Sequence, residues 1–370
     1  MLALVMTVVV VALAFEYING FHDTANSIAT VVATKVLSPM QAVGMAAGMN
    51  LIGALAGTAV AKTISSGLID AGVVDVGSLL ILCALLGGIV WNLITWWWGL
   101  PSSSSHALIG GLMGAALAAA SNNFGSIIWS EPAEPLYQSA GVLWKVIVPM
   151  VSSPVLGFAA GFLLMGVLFF TISMMARSGG WLARIARPRW VNGFFGKAQI
   201  VSAAGMGFAH GMNDAQKTMG IIALALVSAQ SAGTLDALPP WLAFLHPSDA
   251  ALAEGDIDTW IKVSCALVMA AGTAAGGWRI IKTLGHKLVK LHPIHGFAAE
   301  TSAASVILAA SSLGIPVSTT HNISSAIMGV GTAKRLNAIK WSVVHKMLWA
   351  WILTIPMSGG IAYLLFKLAA

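Results

Sequence analysis

Long apolar runs separated by short polar stretches divide this chain from end to end. They cover residues 1–34, 39–61, 77–98, 102–120, 142–176, 198–231, 261–281, 293–313, 317–331 and 343–366. Most approach the roughly 20 residues that a helix needs to cross a bilayer. None shows the short alternating segments of a transmembrane barrel. The pattern predicts an all-α polytopic membrane protein with about 10–12 membrane segments. Two of the runs, 1–34 and 198–231, are interrupted near the middle by polar residues. The first carries Gly20-Phe-His-Asp-Thr-Ala-Asn26 and the second Gly211-Met-Asn-Asp-Ala-Gln-Lys217. An ionisable side chain at such depth costs roughly 2.5–3.5 kcal/mol on insertion scales, so its default reading is functional.

These two stretches align, Gly20 on Gly211 and Asp23 on Asp214. A second echo lies at the turns between paired runs: Gly99-Leu-Pro-Ser-Ser-Ser-Ser-His106 matches Gly314-Ile-Pro-Val-Ser-Thr-Thr-His321. Each half then has one order: interrupted run, single run, paired runs, single run. The basic segment 177–197 holds Arg177, Arg184, Arg187, Arg189 and Lys197 and no acid, whereas 232–260 holds five acids and no Lys or Arg. The positive-inside rule places the first in the cytoplasm and the second outside. Counting outward from there, the halves have opposite sense, with both termini outside. The expected organisation is an inverted-topology repeat: 1–176 as the first half, 177–197 as a cytoplasmic connector and 198–370 as the second half. Broken helices and paired, re-entrant hairpins belong to that plan, which is common among secondary transporters.

Composition narrows the class further. The chain is 58% hydrophobic and 9% charged, against about 25% charged in soluble domains. Its net charge of +6 sits in the segments between runs, which speaks for membrane orientation and against nucleic acid. The first run lacks a basic leader and passes directly into the Asp23 motif, so it does not read as a cleaved signal. Cys83 and Cys265 are single and lie within apolar runs, implying neither disulfides nor zinc. No cofactor is expected. The expected setting is the plasma or inner membrane.

The duplicated turn carries readable chemistry. Proline ends one helix and fits the first turn of the next, and hydroxyls just after it sit where Ser and Thr cap helix N-termini. A helix N-terminus offers free N–H groups and positive partial charge to an anion. Two such turns, with Ser103, Ser104 and Ser105 in one and Ser318, Thr319 and Thr320 in the other, would enclose a small oxyanion. Asp23 and Asp214 accept hydrogen bonds from an oxyanion only if it carries a proton, which fits phosphate better than sulfate. They also suit a coupling cation or proton. Lys217 would place a positive charge beside the substrate.

These residues resemble the inorganic phosphate transporter (PiT) family, in its bacterial low-affinity branch. Both halves carry its Gly-x-[Asn/His]-Asp signature, in Gly20 to Asp23 and Gly211 to Asp214, and both hairpin turns match its Pro-x-Ser-[Ser/Thr]-[Ser/Thr]-His pattern. The resemblance spans nearly the whole chain. It implies a carrier, not an enzyme, that imports inorganic phosphate with a coupling ion, in that branch as a neutral complex with a divalent metal. By the resemblance Asp23, Asn26, Ser103, Ser104, Ser105, Asp214, Ser318, Thr319 and Thr320 surround the substrate or ion; Gln216 and Lys217, polar residues in the same interrupted run, are further candidates to line the substrate site. Asp23, Asp214, Asn213, His22, His106 and His321 are candidates for the ion or proton. A homo-oligomer is compatible with it.

One departure matters. Sodium-coupled members commonly follow both aspartates with Ala-Asn; here the first half keeps Ala25 and Asn26, but the second has Gln216 and Lys217. A fixed ammonium repels sodium, so the expected coupling ion is the proton. The alternatives are a sodium-coupled phosphate symporter, a sulfate permease of the same fold, an open channel, and an intramembrane hydrolase built on Ser102 to Ser105 and His106. The last lacks a nucleophile elbow. Structural uses compete at single residues: helix pairing for either Asp, interhelical hydrogen bonding for Asn26 and Gln216, snorkelling for Lys217, and packing for His22, His106, His210 and His321. Glu16, one turn before Gly20, is a further site candidate. Trp96, Trp97 and Trp98 suggest packing or an interfacial belt, and Gly110, Gly111 and Gly114 close helix approach.

Overall fold

The computed structural model describes residues 2–66, 68–70, 72–135, 139–236 and 238–370. The predicted outer segments 63–76 and 121–141 fall partly outside them. Among the described residues the chain forms helices and no β-strand. In the first half they are α1 (Leu2–Ala33), α2 (Pro39–Ala54), α3 (Ala59–Ser66), α4 (Ser78–Trp98), α5 (Ser104–Ala119) and α6 (Val148–Arg177). A short α7 (Gly180–Ile185) lies in the connector. The second half has α8 (Pro188–Ser231), α9 (Asp249–Glu254), α10 (Thr259–Ala275), α11 (Trp278–Lys282), α12 (Pro293–Ser312), α13 (Thr319–Lys334) and α14 (Trp341–Ala369).

The interruptions at Asp23 and Asp214 are chemical and not conformational. Both α1 and α8 run unbroken through them, because the polar groups sit on side chains and leave the backbone ladder intact. The breaks fall elsewhere: at 55–58 between α2 and α3, at Gly276 and Gly277 between α10 and α11, and at the two hairpin turns. Helix α8 starts ten residues before the expected boundary, inside the basic connector. Among the described residues, α1, α4, the stretch Leu143–Arg177 and α14 are long and apolar enough to cross a membrane alone. Helices α5 and α13 have 16 residues each, about 24 Å at 1.5 Å per residue. That is short of a hydrocarbon core of roughly 30 Å.

The packing repeats when the halves are exchanged. Helix α1 packs on α10 and α4, and α8 on α2 and α12; α5 packs on α4 and α14, and α13 on α12 and α6. The last helix of each half therefore lies on the hairpin of the other, which interlocks them. Close approach explains the duplicated glycine: a Cβ on Gly20 would run into the carbonyl of Met269 on α10, and one on Gly211 into that of Asn50 on α2. As expected, Gly110 and Gly114 lie against the backbone of α14 and Gly111 against that of α4. Trp97 and Trp98 are exposed. One apolar cluster holds the N-terminal half of α1 with α4, α5 and the C-terminal half of α8; the other holds the C-terminal half of α1 with α2, α12, α13 and the N-terminal half of α8. Asp23 on α1 and Asp214 on α8 lie at the seam where one cluster gives way to the other along each helix.

Candidate functional site between two hairpin turns

Each hairpin turn brings a helix N-terminus to that seam. Gly99 and Gly314 take left-handed φ values of 64° and 67°, a conformation that favours glycine. After Pro101 and Pro316 come the caps. Ser103 Oγ accepts the His106 N–H at 3.3 Å, and Ser318 Oγ accepts the His321 N–H at 3.2 Å. The hydroxyls of Ser103 and Ser318 thus serve their own helices first. The turns are held from the opposite half: Thr63 donates to the Gly314 carbonyl at 2.8 Å and Thr283 to the Gly99 carbonyl at 2.9 Å.

The aspartates face the residues that follow the caps. Asp23 Oδ2 accepts from Ser104 at 3.0 Å, and its Oδ1 accepts from Thr320 at 3.2 Å and lies 2.7 Å from His22 Nδ1. Asn26, one turn on and on the same face, donates to Thr319 at 3.2 Å and Thr320 at 2.9 Å. Asp214 Oδ2 accepts from Thr319 at 2.7 Å and lies 3.1 Å from His210 Nε2. Asp214 Oδ1 is 2.5 Å from Lys217 Nζ. The same ammonium donates to Ser105 at 2.5 Å, Asn213 Oδ1 at 2.6 Å and the Val317 carbonyl at 3.0 Å. Asn213 donates in turn to Ser311 at 2.8 Å. All these side chains are buried. Two carboxylates are thus faced by one ammonium and two imidazoles, and the hydroxyls of Ser104, Thr319 and Thr320 are committed to the carboxylates.

Gln216 is elsewhere. Its Oε1 accepts the N–H groups of Val60 at 2.7 Å and Ala61 at 3.3 Å, and its Nε2 donates to the Met212 carbonyl. It caps α3 and does not line the polar centre, contrary to the expectation from sequence. The reason is helix geometry: positions 213, 214 and 217 share a face, while 216 is rotated about 200° from 214. Gln216→Leu is expected to cost about 1 kcal/mol of stability, as a lost cap does, while leaving the apparent affinity for phosphate unchanged. Thermal unfolding and uptake kinetics of the purified variant check this.

His22 is anchored by Asp23 and by Thr95, 3.1 Å from its Nε2. His106 and His321 meet edge to face across the two hairpins at 4.8 Å between ring centres, and His321 stacks on Trp351 at 4.1 Å. They touch each other and not the aspartates. Two features go beyond the reading from sequence, which weighed packing for His210 and did not single out Glu300. His210 joins Asp23 and Asp214 in a group whose ligand atoms lie within 4.8 Å of one another, a geometry that can hold a metal ion. Glu300 of α12 is fully buried and accepts from Thr30, Gln199 and Ser202. The signal for Glu300 was present: it is an acid within an apolar run, like Asp23.

Comparison with known proteins identifies this arrangement. Residues 19–362 match the phosphate transporter family. A protein of Bacillus subtilis described as a "Probable low-affinity inorganic phosphate transporter" is 42% identical over 100% of this chain and 98% of its own length. One of Rhizobium meliloti with the same description is 42% identical over 98% of this chain and 96% of its own. A solved structure described as "The sodium-dependent phosphate transporter" superposes with a TM-score of 0.78 at 22% identity, covering 99% of each chain, and shows the same fold. The duplicated aspartates and hairpin turns are thus set in a polytopic membrane protein that belongs to the phosphate transporter family.

Proposed function

We propose that this transporter takes up inorganic phosphate by alternating access and couples that uptake to protons. The observation that supports proton coupling most is the setting of Lys217. Its ammonium touches four oxygens, from Ser105, Asn213, Asp214 and Val317, at 2.5–3.0 Å. An oxygen cage of this kind is what a hard cation seeks. The Lys217 ammonium fills it, so sodium has no room or charge incentive there. The solved neighbour is described as sodium-dependent; the Gln216-Lys217 pair is where this chain parts from the common sodium-coupled pattern.

The anion would sit between the starts of α5 and α13, where Ser104, Ser105, Thr319 and Thr320 supply donors. Of those hydroxyls, that of Ser105 accepts from Lys217, and the three on Ser104, Thr319 and Thr320 now bond to Asp23 and Asp214. A cation or proton on the carboxylates would release them to the substrate. The cluster of Asp23, His210 and Asp214 favours one more reading, in which a divalent metal enters as part of the cargo with phosphate. Retention of the carboxylates as acceptors favours a protonated oxyanion over sulfate. In orientation, the basic connector lies in the cytoplasm and both termini outside.

Purified protein in liposomes tests the proposal, with sodium, pH and divalent metal varied independently. Uptake of labelled phosphate is expected to follow a pH gradient in sodium-free medium and to resist excess sulfate. Uptake that follows a sodium gradient and ignores pH would overturn proton coupling; competition by sulfate would overturn the substrate assignment.

A further inference from the structure

Glu16 stands apart from the polar centre. It lies on α1 seven residues before Asp23, about 10 Å along the axis, and is fully buried. Its Oε2 accepts a hydrogen bond from Thr218 of α8. Its Oε1 has no partner. Asn19, also buried, is one turn on and on the same face; its Oδ1 has no partner either. Both orphaned atoms are acceptors. Leaving one buried and unpaired costs about 1–3 kcal/mol. One proton added to Glu16 Oε1 removes the charge from that unpartnered oxygen and makes it a donor, and the Asn19 side-chain amide, which lies within hydrogen-bonding reach of the Glu16 carboxylate, can turn its carbonyl oxygen to accept it.

We propose that Glu16 is the carrier of the coupling proton, with Asn19 accepting its O–H and Thr218 linking it to the site helix. The assignment rests on the proton-coupled reading above. Thr218 adjoins Lys217 and stands one turn from Asp214, so a change at Glu16 reaches the phosphate site through α8. The ionisable groups around Glu16 are few. Helix α8 presents Asp214 and Lys217, and α10 presents the Cys265 thiol. Helix α2 contains no Asp, Glu, Lys, Arg or His, and α4 carries the Cys83 thiol alone. Helices α5 and α13 bring His106 and His321, which face each other. Helix α12 meets α1 nearer its C-terminal end, where Glu300 bonds Thr30. Helix α11 meets it around Phe21, where Arg279 lies over Trp96 and Trp97. Among the described residues Glu16 makes no ion pair.

The test separates driving from binding. Wild type and Glu16→Gln are reconstituted with the membrane potential clamped, and two activities are read from each. The first is accumulation of labelled phosphate under a one-unit pH gradient. The second is exchange of internal for external phosphate at equal pH, which needs no net proton movement. Wild type is expected to accumulate about tenfold per coupled proton. Glu16→Gln is expected to lose that accumulation and still exchange. Asn19→Leu removes the amide and is expected to move the pH of half-maximal exchange by about one unit, the worth of one hydrogen bond. A Glu16→Gln protein that accumulates like wild type, or that loses exchange as well, overturns the assignment, as does an unmoved pH profile in Asn19→Leu. A wild type indifferent to the pH gradient overturns instead the reading on which the assignment rests.

Discussion

Asp214→Asn is expected to lower phosphate uptake by about a hundredfold or more while the protein still inserts and elutes as a single species. Among the described residues Asp214 is the carboxylate paired with Lys217, at 2.5 Å, and it holds Thr319 of its own half's hairpin turn at 2.7 Å. Removing one partner of a buried pair costs about 3–5 kcal/mol, because the other charge is left without compensation. At 1.4 kcal/mol per decade that corresponds to about two to three and a half orders of magnitude in a step that needs the pair intact. The asparagine can still accept from Thr319, so the loss isolates charge from shape. Initial rates in proteoliposomes, with gel filtration of the same preparation, measure both sides. Wild-type rates would remove Asp214 from the transport site.

Lys217→Asn is expected to have an effect of similar size with a different signature. Uptake driven by pH in sodium-free medium should fall by about a hundredfold, since Asp214 then loses its buried partner. The four oxygens that now surround Nζ are left facing one another, and the shorter amide leaves space among them. A small cation can occupy such a cage, so sodium should restore part of the activity in this variant and none in wild type. Uptake measured across a sodium titration distinguishes the cases. A variant that stays inactive at every sodium concentration would show that the lysine serves the anion itself and does not stand in for a cation.

The two substitutions also separate local from global effects. Both residues lie on one continuous helix, α8, whose backbone hydrogen bonds are undisturbed by the polar side chains. Loss of function in either case is therefore expected without loss of the helix. Gln216→Leu provides the contrast, acting on the α3 cap and leaving the polar centre untouched.

Much of this protein was legible in its sequence for a simple reason: a bilayer penalises polarity everywhere except at sites of use. That penalty made Asp23, Asp214 and Lys217 conspicuous without any knowledge of contacts. The duplicated Gly-Pro-Ser/Thr turns were legible because proline and capping hydroxyls act on their own neighbours in the chain. The sequence by itself thus determined the helical membrane class and made the duplicated motifs, the hairpin turns and the charged residues within apolar runs visible. What it did not determine was direction and distance. Gln216 carried the same polarity signal as Asn213, yet a rotation about the helix axis sends it to the end of α3. His210 and Glu300 depend on partners far away in sequence, and so does the pairing of each hairpin with the other half's last helix. Only the tertiary structure decided these, because side-chain facing follows from how whole helices pack, and that packing depends on the complete set of opposing surfaces.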